Sequence, residues 1–235
     1  MKFRIVMLFA LTFSSCQIDI EDNSRLLLKG DVSDGLQSPF PNLPVEVYAS
    51  NGNGFLNLTE RIGVGETAAD GTFDVVALSP ENKSYLQLNI NTDFQEGYRS
   101  DLGSYTIRGF NLLKENDVTY TIPPFAIGKK TTAPLEIRRI DNLLDTLVFQ
   151  YRYKNPDRML DFSQNVFEDT TVDFNFYGDF GTLSPAQKDT MINLSNVIAR
   201  DTLFFEYNFM DGNASESIEV DLLYNPENGG YVFEF

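Results

Sequence analysis

A period-two alternation of apolar and polar residues runs from about residue 25 to the end of the chain. It is broken by turn residues and at only one place by a helix-like signal. RLLLKGDV (25–32) sets Leu26, Leu28 and Val32 against Leu27, Lys29 and Asp31. LPVEVYAS (43–50) puts Val45, Val47 and Ala49 on one face, and TFDVVAL (72–78) alternates Phe73 and Val75 with Thr72 and Asp74. SYLQLNIN (84–91) groups Leu86, Leu88 and Ile90, and SYTIRGF (104–110) and DVTYTIP (117–123) follow. Successive side chains of a strand point to opposite faces, so this pattern marks half-buried strands. The stretches SNGNG (50–54), AADG (68–71) and SPEN (79–82) supply the turns between them. The expected fold class is therefore all-β, built as sandwiches.

A second block is richer in aromatics. DTLVFQYRYKN (145–155) aligns Leu147, Phe149, Tyr151 and Tyr153; TVDFNFYG (171–178) aligns Val172, Phe174 and Phe176; DTLFFEYNF (201–209) aligns Leu203, Phe205, Tyr207 and Phe209. SIEVDLLY (217–224) and YVFEF (231–235) close the chain, again in a sandwich pattern of the Ig or transthyretin type. Between the blocks, IPPFAIGKKTTAP (122–134) reads as a connection: Pro123 and Pro124 end the last strand of the first block and Pro134 opens the second. The expected organisation is a first sandwich over 25–125, a linker over 126–134 and a second sandwich over 135–235. LSPAQKDT (183–190) is the single helix start: Ser184 as cap, Pro185 at N1 and Gln187 completing a capping box predict one or two turns, serving as a strand crossover.

The first block resembles the carboxypeptidase regulatory-like family, whose members have a transthyretin-like sandwich. The resemblance rests on a G-x-V strand at Gly30/Val32, a P-x-x-V strand at Pro44/Val47 and a T-x-x-D-G-x-F turn at Thr67/Asp70/Gly71/Phe73. The loop LQSPFPN is longer here than in the family, and the family's frequent Gly-Thr pair is missing from it. The resemblance implies a fold and leaves function open. Read on its own terms, Asp70-Gly71 is a hairpin turn, because glycine takes positive φ freely and aspartate bonds its own backbone.

The chain begins MKFRIVMLFALTFSSC. Lys2 and Arg4 form a basic start, residues 5–13 an apolar run too short to span a bilayer, and Ser14 and Ser15 precede Cys16, the single cysteine. This layout resembles a bacterial lipoprotein signal, although Phe13 stands where leucine is usual. It implies cleavage after residue 15, lipid on Cys16 and an acidic tether over 16–24. Several acyl chains anchor a protein stably where one does not, at roughly 0.8 kcal/mol per buried CH₂. QIDIED (17–22) resembles the surface-export signal of lipoproteins from the Bacteroidetes lineage, and so implies an outer-membrane protein exposed at the cell surface.

Composition narrows the chemistry. With 18 basic and 34 acidic residues the net charge is −16, and loss of Lys2 and Arg4 with the leader takes it to −18. Nucleic acid is a poor partner for such a surface, and membrane attachment falls to the lipid. There is no histidine, which removes histidine-dependent triads and the common zinc sites. No catalytic residues, metal ligands or cofactors are expected. The acid pairs Asp31/Asp34, Asp157/Asp161 and Asp169/Asp173 read as solvated loop acids rather than calcium ligands. Four Asp-Thr pairs resemble the acceptor sequence for O-linked glycans of the same lineage, making Thr146, Thr170, Thr190 and Thr202 candidate sites. Phe110, Phe125, Tyr177 and Phe180 are candidates either for closing sandwich ends or for a ligand surface. The expected role is a non-catalytic binding or scaffolding accessory, of the kind found beside glycan-uptake systems, with an envelope protein or an extracellular glycan as partner. The alternative is a fimbrial-type subunit assembled by strand addition.

Overall fold

The computed structural model describes residues 20–34, 38–51, 58–80, 84–111, 119–140, 145–161, 176–198, 201–210, 217–227 and 229–235. Among these residues the chain is all-β and contains no helix. The first part comprises β1 (Ile20–Ser33), β2 (Pro44–Asn51), β3 (Leu58–Glu66), β4 (Thr72–Pro80), β5 (Ser84–Ile90), β6 (Ser104–Asn111), β7 (Thr119–Thr121) and β8 (Phe125–Ala126). The second comprises β9 (Lys130–Arg138), β10 (Thr146–Lys154), β11 (Asp157–Asp161), β12 (Phe176–Leu183), β13 (Asp189–Ile198), β14 (Leu203–Met210), β15 (Ile218–Leu222) and β16 (Tyr231–Glu234).

The first strands form one continuous ladder in the order β11-β6-β5-β2-β3-β4-β1-β7, with β8 also on β1. Alternation decides which side chains go inside. Leu26, Leu28 and Val32 of β1, Val45, Val47 and Ala49 of β2, Phe73, Val75 and Ala77 of β4 and Leu86, Leu88 and Ile90 of β5 are all buried in one cluster. The β3–β4 junction is narrow, with Gly63 opposite Ala77 as its single paired position.

The residues of the G-x-V strand and the T-x-x-D-G-x-F turn meet at one corner of this core. Gly30 is the cross-strand partner of Phe73, and the Val32 amide donates to the Gly71 carbonyl at 3.0 Å. Gly71 has φ of +82°, which an L side chain rarely adopts, and Asp70 Oδ1 accepts from both the Thr72 amide (3.1 Å) and its hydroxyl (2.7 Å). These bonds hold the Asp70 carboxyl below its ordinary range, the Thr72 hydroxyl being the largest cause. The buried Thr67 hydroxyl accepts from the Leu43 amide at 2.9 Å and donates to the Phe40 carbonyl. The D-G motif is thus a structural turn, as its sequence implies.

The second part is a sandwich of a four-stranded sheet, β12-β10-β14-β15, and a three-stranded sheet, β13-β9-β16. Its separate core gathers Leu147, Phe149, Tyr151 and Tyr153 from β10, Leu203 and Phe205 from β14, and Tyr231 and Phe233 from β16. Phe205 stacks on Phe149 at 5.6 Å and packs against Phe233 at 4.3 Å.

Three features differ from the sequence reading, the first being that β1 begins at Ile20, inside the expected 16–24 tether, with Ile20 packed against the first core. The signal at 183–190 yields one turn, within the one or two expected: the Gln187 amide donates to the Ser184 carbonyl, Gln187 Oε1 accepts from the Ser184 amide and hydroxyl, and β13 already begins at Asp189. The capping residues are satisfied within one turn, and the chain crosses there from one sheet to the other, which leaves no length for a helix. The segment 126–134 is largely ordered into the cores, since Ile127 is buried in the first and β9 starts at Lys130. Finally, β11, from the second block, joins the first sheet, running parallel to β6 at its edge.

Candidate functional site

The expected site residues are scattered. Cys16 and Thr170, together with Asp169, Asp173, Val172 and Phe174, lie outside the described residues. Thr146 heads β10 opposite Met210, and Thr190 lies near the start of β13 opposite Ile137. Arg139 ties these two strand starts together: its backbone amide donates to Lys188 O at 2.7 Å and its Nη2 to Asp145 O at 2.8 Å. Thr202 precedes β14 and so lies at the opposite end of the sandwich. All three threonines are half-buried. Asp201, beside Thr202, is engaged in the fold: its Oδ1 accepts from the Thr202 amide at 2.9 Å and pairs with Lys154 Nζ at 3.3 Å, and its carbonyl accepts from the Tyr231 hydroxyl at 2.9 Å.

The acids of the described pairs are engaged separately in the fold. The Asp34 carboxylate accepts the Ser38 amide at 2.9 Å, and Asp31 is half-buried in β1 opposite Thr72. Asp161 pairs along its backbone opposite Arg108. Among the described residues no three potential metal ligands gather. Of the four aromatics, Phe125 closes the first core against Tyr105 (4.6 Å) and Phe110 lies in β6 opposite Leu86. On β12, Phe180 points outward, 80% exposed, while Tyr177 lies in the core phase against the Tyr153 ring at 5.8 Å and is still 40% exposed.

Asp157 has a different task, which its spacing from Asp161 did not suggest. It anchors β11 to the first sheet. Lys130 Nζ lies 2.9 Å from Asp157 Oδ1, and the Ser104 hydroxyl donates to the same carboxylate at 2.9 Å. Next along, Arg158 Nη1 donates to the Tyr105 hydroxyl at 2.9 Å, its guanidinium lying 5.6 Å from the ring centroid. Burial would lower the Lys130 pKa, but the Asp157 carboxylate and the Tyr98 hydroxyl outweigh it, and the net shift is upward. This clasp carries no reactive group. It fixes one block against the other.

The surface with the most unspent binding capacity is the β12 side of the four-stranded sheet. Among the described residues β12 pairs only with β10, and seven of its eight residues are exposed or half-exposed. The register is regular over the whole strand, from Leu147 opposite Leu183 to Lys154 opposite Phe176. Outward from this sheet point Phe176, Gly178 and Phe180 of β12, Gln150, Arg152 and Lys154 of β10, and Phe204 and Glu206 of β14, as the core positions of β10 and β14 require. Phe176 meets Phe204 edge-on at 5.8 Å, and the Arg152 guanidinium lies 5.9 Å from the Phe176 centroid. Among the described residues the edge therefore offers backbone groups outside any ladder, exposed rings and the Arg152 guanidinium together. The sequence marked Tyr177 and Phe180 as candidates but read Phe176 as core, because FYGDFG carries aromatics in both alternation phases.

No family model and no curated protein matches the chain. Among solved structures it is similar to the Bacillus anthracis TIE protein (13% identity, TM-score 0.33), covering 90% of this chain and only 33% of that one. It is also similar to the C-terminally truncated tip fimbrial protein Mfa3 from Porphyromonas gingivalis (11% identity, TM-score 0.28; 86% and 83% covered). A third is the shaft pilin SpaA from Lactobacillus rhamnosus GG (9% identity, TM-score 0.30; 90% and 97% covered). The chain spans about a third of the first of these.

Proposed function

We propose that this chain is a non-catalytic structural subunit of a bacterial cell envelope that engages its partners by strand addition. The observation that supports it is β12: an eight-residue, regularly paired, aromatic edge strand with one neighbour among the described residues. Strand addition supplies affinity through main-chain hydrogen bonds and specificity through alternate side chains, and both are on offer here. The chain has no histidine, the usual side chain for proton transfer near neutral pH. In this reading the lipid anchor sits on Cys16 and the acidic body lies outside the outer membrane, joined to it by the few residues that precede β1 (Ile20–Ser33).

A binding or scaffolding accessory is the second reading, favoured by the outward rings Phe176 and Phe180 beside Arg152. In that reading a glycan or envelope protein lies on the sheet face rather than along its edge.

The test compares wild type with Cys16→Ala in a Bacteroidetes host, adding protease to intact cells. Membrane-bound, shaved wild type and released mutant are expected. Soluble behaviour of both would remove the anchor; protection of a membrane-bound wild type would turn the body to the periplasm. Native gels of the extracted protein then separate an assembling subunit from a monomeric accessory.

A further inference from the structure

We infer that β12 of one copy pairs with β15 of the next, so that the four-stranded sheet continues head to tail through a row of identical subunits. This rests on the strand-addition reading and names its partner.

The edges of the two sandwiches differ in how they are protected. β7 and β16 are three and four residues long. β11 is short and carries Asp157, Arg158 and Asp161. β13 is long but broken by a bulge between Leu194 and Val197, with Asn196 at φ of +57°. Shortness, charge and bulging are the usual devices against edge pairing. β12 is the least protected: it is eight residues long with no lysine, proline or register shift, and its single charge, Asp179, lies in the inward phase opposite Tyr151.

The complementary surface is the other edge of the same sheet. Among the described residues β15 pairs only with β14, pointing Ile218, Val220 and Leu222 inward and Glu219 and Asp221 outward. Every neighbouring pair in this sheet is antiparallel, so β12 and β15 run in opposite directions and a translated copy presents β15 antiparallel to β12. The register follows from the rows across the sheet. One row is Phe180–Gln150–Glu206–Glu219 and the next Gly178–Arg152–Phe204–Asp221. Continuing them sets Glu219 of the next copy beside Phe180 and Asp221 beside Gly178. Gly178 has no side chain, so Arg152, one strand further in, reaches across it toward Asp221 over roughly two strand spacings of about 4.8 Å each. The Arg152 guanidinium thus flanks one edge and the carboxylates of Glu219 and Asp221 the other. On the inner face Tyr177 meets Leu222, and Ile218, 47% exposed, lies over Gly181. The contact joins two different edges, so it propagates instead of closing into a dimer.

The test uses the full chain with Cys16→Ser to remove the native thiol. Phe180→Cys combined with Glu219→Cys should yield a disulfide ladder on oxidation. A mixture of the two single variants should give a heterodimer, and neither single variant a homodimer. Val76→Cys, 60% exposed on β4 away from this sheet, reports random collision. Arg152→Glu should abolish the ladder and Asp221→Arg in the same chain should restore it. Homodimers of the single variants, or equal crosslinking at Val76, overturn the inference. Assemblies that form with no bond between these cysteines overturn it while leaving strand addition standing. A chain that stays monomeric and uncrosslinked at every concentration overturns both.

Discussion

Gly30 lies opposite Phe73 in the β1–β4 ladder, and the ring covers it so closely that a Cβ on Gly30 would fall 2.4 Å from the ring's Cζ. The G-x-V strand and the T-x-x-D-G-x-F turn are therefore two halves of one packing arrangement. Gly30→Ala should cost about 1–3 kcal/mol by overpacking. Phe73→Leu removes the colliding ring atoms, so in the double variant the two costs should sum to less than their separate values. Urea unfolding of the four proteins measures this coupling.

Thr67 makes the second half of that corner. Its hydroxyl serves the Leu43 amide and the Phe40 carbonyl in a buried site. Thr67→Val keeps the shape and leaves both backbone groups without that partner, a loss of about 1–3 kcal/mol. Thr67→Ser, which keeps the hydroxyl, should recover most of it, and thermal melts of the two variants distinguish hydrogen bonding from volume.

Tyr48 provides a pH signature on the outer face of β2. Its hydroxyl donates to Glu46 Oε2 at 2.6 Å, while Arg61 Nη1 holds Oε1 at 2.7 Å. Partial burial first, then the hydrogen bond to Glu46 and the carboxylate's charge, push the phenol up to about 12. Because the folded pKa exceeds the unfolded value of about 10, this contribution is complete below pH ~10 and is lost as pH rises through about 12. Phenolate absorbance should show the late titration, and Glu46→Gln should bring it earlier.

The Asp157 clasp couples the two cores. Both partners are only partly exposed, and Ser104 adds a third contact. Lys130→Met leaves the carboxylate without its cation and should loosen β11 from β6. Calorimetry should then separate one unfolding transition into two, with a Lys130–Asp157 coupling of roughly 1 kcal/mol in a double-mutant cycle.

What the sequence displayed and what it hid follow from the range of the interactions. Core faces such as Val45/Val47/Ala49 and Leu147/Phe149/Tyr151/Tyr153 were legible because burial on one face imposes a local period of two. The Asp70-Gly71 turn was legible for the same reason, being satisfied by its immediate neighbours. The addition of β11 to β6 was not: it joins Asp157 to Ser104 across half a domain of chain, and DRMLD holds too little pattern to declare a partner. The Ser184–Gln187 signal was legible too, closing one turn at the crossover from β12 to β13. The exposure of β12 was half legible: Tyr177 and Phe180 stood out as surface candidates, but Phe176 read as core until the sheet order places it at an edge.

Hydrogen exchange along β12 tests strand addition most directly. A partner lying on the sheet face would shade the rings of Phe176 and Phe180 and leave the edge amides open, whereas an added strand bonds the amides themselves. The full chain should be compared as dilute monomer and as the assembled form taken from the cell envelope. Slowed exchange across Phe176–Leu183 in the assembled form alone is the expected result. Equal exchange in both forms, with protection appearing elsewhere, would contradict strand addition at this edge.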